Sequence, residues 1–124
     1  MQLINLIDTI KKHPEYHKAG MILCHNGVVR GTSRDGRKIS GLSISVDHNK
    51  LKKVIESQKK RSGIIEILVD IAENRHLKVG DDVMLLVVAG DIRENVIFVL
   101  NDTLNAIKTT VTQKTEFFTN QGSW

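Results

Sequence analysis

Four cationic side chains, Arg30, Arg34, Arg37 and Lys38, fall within nine positions of a stretch threaded by Gly27, Gly31, Gly36 and Gly41. Three more stand farther on: Arg93, Lys108 and Lys114. A guanidinium fork suits a phosphate or carboxylate bidentately, whereas a lysine can also move a proton once burial or neighbouring cations lower its pKa from about 10.4. A cleft that gathers lysines among arginines could therefore bind an anion and act on it. Spacing alone leaves open the alternative that each is a solvated surface cation.

Other chemistries find less support. The five histidines (13, 17, 25, 48 and 76) form no HExxH and no Cys/His ligand spacing, so no metal site is expected. His13 and His17 are four apart, but Pro14 breaks any helix that would align them. Cys24 is the single cysteine, which excludes an intrachain disulfide, and its neighbours Ile22 and Leu23 point to packing rather than nucleophilic duty. There is no GxSxG elbow, Walker loop or GxGxxG. A net charge of +4 favours an anionic partner without choosing between nucleic acid, a phosphorylated metabolite and an acidic protein. With three Phe, one Tyr and one Trp, the chain is poor in the stacking platforms of single-strand binders.

These side chains must be carried by elements whose pattern is legible. The 124 residues suffice for one domain, 1–124, able to bury a core without staples. Leu3, Leu6, Ile7 and Ile10 recur at helical spacing and His13-Pro14 ends that helix. Residues 20–30 read as extended, and 42–47 as a half-buried strand. Asn49 can cap a helix over 50–60, with Leu51, Val54 and Ile55 inward and five lysines outward. Those lysines could grip nucleic acid, but a solvated helix face accounts for them as well. Ser62-Gly63 breaks the helix, Ile64 to Ile71 is a strand, and Asp81 to Val88 is apolar enough to be central and covered on both faces. A helix follows from about Asp91 to Lys108, then an extended Thr112–Phe118 and a polar tail, 119–124, expected to be loose. The order αββαββαβ implies an α+β fold with largely antiparallel strands. Asn26-Gly27 is a local puzzle: propensity alone prefers a hairpin there, and the alternative is one long strand with a bulge at Gly27.

Three blocks of the chain resemble the large, catalytic subunit of molybdopterin synthase. The first runs from Gly20 to Arg30 (GMILCHNGVVR), the second from Leu77 (LKVGDDV and its apolar strand) to Arg93, and the third joins Ala106-Ile107-Lys108 to Lys114-Thr115-Glu116. With the segments between, the likeness spans roughly 19–117. It implies an α/β hammerhead fold, usually dimeric, and an enzyme that converts cyclic pyranopterin monophosphate to molybdopterin. No cofactor is implied: the sulfur comes from the C-terminal Gly-Gly thiocarboxylate of a small ubiquitin-like subunit, within a heterotetramer. By position, Lys108 and Lys114 match the catalytic lysines, Arg30 and Arg93 the anion-binding arginines, and Glu116 the carboxylate after the second lysine. Arg34 and Arg37 are added from loop charge alone. The family runs the first block as one strand, which favours the bulge at Gly27 over the hairpin. Ile92 stands where the family commonly has histidine, and the linker from Lys108 to Lys114 is one residue short of the common pattern.

On this reading Lys108, Lys114, Arg30 and Arg93 should converge on one pocket. Two rivals are a non-catalytic relative that binds a ubiquitin-like partner and a basic nucleic-acid-binding domain. No run approaches the ~18 apolar residues of a membrane span. MQLINLIDTIKKH lacks a signal peptide's charge order, so a cytoplasmic location is expected.

Overall fold

The computed structural model describes residues 2–119. In chain order the elements are α1 (Leu3–Lys11), β1 (Met21–Val28), β2 (Ile39–Val46), α2 (His48–Lys59), β3 (Ile64–Ile71), β4 (Leu77–Lys78), β5 (Asp82–Gly90), α3 (Arg93–Ala106) and β6 (Thr112–Phe118). A 3-10 turn occupies Tyr16–Lys18, and a π-helical segment, Ile107–Val111, joins α3 to β6. The fold is α+β, and every strand pair is antiparallel.

The apolar run that marked β5 as central is buried from Met84 to Ala89. A strand apolar on both faces needs a cover on each. It lies between β1 and β3 in one three-stranded sheet. On one face α1 sets the fully buried Ile10 against Val87 and Ala89. Cys24 packs in that same cluster, and burial pushes its thiol up from the ordinary value, in keeping with a packing role. On the opposite face α3 sets Val96 and Val99 against Leu86, Val88 and Ile67. Burying each such side chain contributes about 1.5–3 kcal/mol. A second sheet, in the order β4-β2-β6, closes over a separate cluster containing Val29, Ile39, Leu42, Ile44 and Leu77.

Several boundaries differ from the expectation for physical reasons. Gly27 does not turn the chain: β1 continues through it, so the strand reading is right. The irregularity falls between Gly27 and Val28, whose partners are Met84 and Asp82, so the extra residue, Val83, belongs to β5 rather than to β1. Asp47, not Asn49, caps α2, its carboxylate accepting from the Lys50 backbone N–H at 3.1 Å, and the helix starts correspondingly earlier. The Asp91 carboxylate accepts from the Ile92 backbone N–H at 2.6 Å and from Asn95 at 3.0 Å, so Ile92 stays extended and α3 begins at Arg93. Gly63, at φ +79°, is what lets the chain turn against that carboxylate, because a Cβ there would collide with it. Between α2 and α3 stand three strands rather than two, since Leu77–Lys78 pairs briefly with Gly41 and Leu42. Thr119 is tied down by its backbone N–H to the Lys38 carbonyl at 3.1 Å, whereas the rest of the expected loose tail, 120–124, lies outside the described residues. Among the described residues no helix is long and apolar enough to cross a membrane.

Candidate functional site

The two sheets leave a cavity of about 440 Å³ between β1, β6 and the loop that follows β1. Period-two alternation decides which side chains enter it. On β6, Thr112, Lys114 and Glu116 share the face that meets Val46, Ile44 and Leu42 of β2 across the ladder, and all three line the cavity. On β1, His25 and Gly27 share the corresponding face. Arg30 and Arg34 enter from the loop, and the floor is apolar, including Ile44, Ile71, Val83 and Met84.

Lys108 arrives by a less common route. The last turn of α3 does not end at a C-cap but widens into the π segment, pinned by the buried Ile107 and Val111. Widened turns of this kind occur disproportionately at functional positions. Threonine hydroxyls satisfy carbonyls there: Thr110 donates to Ala106 at 2.7 Å, and Thr109 to Asn105 at 2.8 Å. Between the two buried anchors Lys108 projects outward and lines the cavity.

Four cations thus face one carboxylate across the cavity: Arg30, Arg34, Lys108 and Lys114 against Glu116. Glu116 lies 3.7 Å from Lys114 Nζ, and Arg30 Nε donates to the Thr32 carbonyl at 3.0 Å, which orients its guanidinium. Among the described residues neither Arg34 nor Lys108 has a salt-bridge partner. Uncompensated positive charge above an apolar floor suits a ligand with an anionic group and a flat organic body.

Sequence reasoning overlooked His25, whose type was weighed only as a metal ligand. Its place on the face of β1 that leads to Arg30 is the signal that could have found it. Burial, and then the charge of Lys108, push its imidazole below the usual histidine range. Among the described residues no three His, Cys, Asp or Glu side chains gather as a metal site would require.

Two expected site residues lie elsewhere. Arg93 sits at the exposed start of α3, 3.7 Å from Glu94, in a separate open depression with Leu23, Ile97, Phe98 and Leu100. Within one chain, therefore, it does not join Lys108. Arg37 is held at the loop's outer edge: its Nε donates to Asp35 at 2.9 Å, and its guanidinium lies 4.0 Å from the Phe118 ring centroid. Ser33 also donates to Asp35, so the turn is locked with Arg37 facing away from the cavity.

The family model described as MoaE protein matches residues 3–110. No curated protein matches the chain. Among solved structures, molybdopterin synthase from Staphylococcus aureus is similar at a TM-score of 0.71 and 19% identity, covering 86% of this chain and 84% of that one. Molybdopterin cofactor biosynthesis protein E from Burkholderia multivorans gives 0.74 at 15% identity, covering 100% and 90%. A chain from the Helicobacter pylori complex of subunits 1 and 2 of molybdopterin-converting factor gives 0.69 at 17%, covering 99% and 87%. At these identities the likeness establishes a shared fold.

Proposed function

The chain belongs to the MoaE protein family, whose place is molybdopterin biosynthesis, and from that premise we propose that it is the catalytic subunit of a molybdopterin synthase. In this reading it converts cyclic pyranopterin monophosphate to molybdopterin by sulfur transfer. The sulfur donor is the thiocarboxylated Gly-Gly terminus of a small ubiquitin-like subunit, so the chain needs no cofactor or metal of its own. That the similar Helicobacter chain comes from a two-subunit complex supports the partner.

The observation that carries the proposal is the cavity with its uncompensated cations, Arg34 and Lys108, beside Arg30 and Lys114. The arginines hold the substrate phosphate bidentately, and Lys108 and Lys114 supply protons or make covalent contact with the partner's tail. Glu116, by its ion pair, restrains Lys114. In each delivery the thiocarboxylate sulfur forms a carbon–sulfur bond on the pterin as the carbon–oxygen bond it replaces breaks, that oxygen leaving on the phosphate as its ring opens or as water. Water then cleaves the acyl–sulfur bond and returns the tail as a carboxylate. A homodimer within a heterotetramer belongs to the same proposal, and Arg93, outside the cavity of its own chain, would bind an anion only where another chain meets that surface.

The test is reconstitution. The purified chain is mixed with a thiocarboxylated ubiquitin-like partner and cyclic pyranopterin monophosphate, and dithiolene product is measured. Product supports the synthase; a stable complex that makes none identifies a binding relative instead.

A further inference from the structure

His25 lies on the face of β1 that also carries Gly27, and a Cβ at Gly27 would stand 3.2 Å from His25 Nε2. The ring therefore lies over bare backbone and lines the cavity. Among the described residues neither ring nitrogen has a hydrogen-bond partner. The charged groups around that cavity are Lys108 from the π segment, Lys114 and Glu116 from β6, and Arg30 and Arg34 from the loop. The strands β2, β3 and β5 contribute only apolar side chains.

We propose, resting on the reading of this cavity as an anion site, that a phosphate-type dianion binds together with a proton on His25, which makes the imidazole a further, pH-gated cationic contact. In the free protein, burial and then the Lys108 charge favour the neutral ring. A doubly negative ligand offsets most of the surrounding cationic charge, and the imidazolium becomes the form with a partner. The proton comes from solvent. Linkage then requires affinity to rise as pH falls through the range in which the ring titrates.

Inorganic sulfate is the probe, because it stays doubly charged across the neutral range and can neither supply nor take the proton. NMR of the full chain follows the His25 ring, assigned by its loss in His25→Gln, with and without saturating sulfate. The titration midpoint should rise by about one pH unit or more on binding, and sulfate affinity should fall about tenfold from about pH 5.5 to about pH 7.5. In His25→Gln that pH dependence should flatten, and in Glu116→Gln it should persist. His13, His17, His48 and His76, none of which lines the cavity, serve as internal controls. Sulfate binding of constant affinity, with an unmoved His25 midpoint, would overturn the coupling and leave the anion site standing. No sulfate binding at any pH, up to tens of millimolar, would overturn both.

Discussion

Arg34 and Arg37 are three residues apart and chemically identical, yet the fold gives them different surroundings. Arg34 reaches the cavity without a carboxylate, whereas Arg37 is engaged by Asp35 and Phe118. Removing a charged hydrogen-bond donor from a bound anion costs about 1.5–3 kcal/mol. Arg34→Ala should accordingly weaken binding of a phosphate monoester about tenfold or more, while Arg37→Ala should change it by less than about twofold, both read by calorimetry. His25 makes a second residue-level prediction, about stability. Its folded-state pKa is lowered, so the unfolded chain takes up the proton at a higher pH than the folded one does. Where the unfolded state binds more protons, stability rises with pH, so it should fall as pH drops from the ordinary histidine value, about 6.5, toward the lowered one. The drop in Tm between about pH 7.5 and about pH 5.5 should be smaller in His25→Phe than in wild type.

At the level of elements, the π segment matters most, because it alone carries Lys108 to the cavity. Ile107→Ala removes one of its two buried anchors and should destabilise the fold by about 2–5 kcal/mol, measured by urea unfolding. Asp47→Ala should cost about 1 kcal/mol through loss of the α2 cap. The strands were largely legible: β-branching located Ile64–Ile71, the extended reading of Thr112–Phe118 matches β6 to the residue, and the apolar run identified β5 as the covered centre. What was not legible depends on three-dimensional competition. Asn49 and Asp47 are both good caps, and only the end of β2 at Val46 decides between them. A π segment has no composition of its own, so the wide turn past Ala106 could not be read from helical spacing. The hairpin signal at Asn26-Gly27 lost to the ladder with β5, a non-local pairing that local propensity cannot weigh. Loop charge selected Arg34 and Arg37 alike, and could not tell that only Arg34 lines the cavity, because side-chain direction depends on a turn that Asp35 locks.

For the molecule as a whole, a net charge of +4 and a cavity dominated by cations favour an anionic partner surface. The rate of association with the proposed small subunit should fall steeply as salt is raised, whereas the dissociation rate should change little, as stopped-flow mixing would show. The two sheets place the cavity at their junction while the buried core around β5 lies behind it, so a change at the exposed Lys108 leaves that core intact. This separation makes Lys108→Ala the most direct test of the synthase reading: dithiolene product from wild type and variant, each with thiocarboxylated partner and cyclic pyranopterin monophosphate, and with unfolding curves recorded beside the assay. If Lys108 acts on the substrate, wild type turns over, the unfolding midpoint is unchanged and Lys108→Ala loses at least about a hundredfold in rate, in the range usual for removing a positioned acid or base. A folded Lys108→Ala that turns over at the wild-type rate would contradict that role.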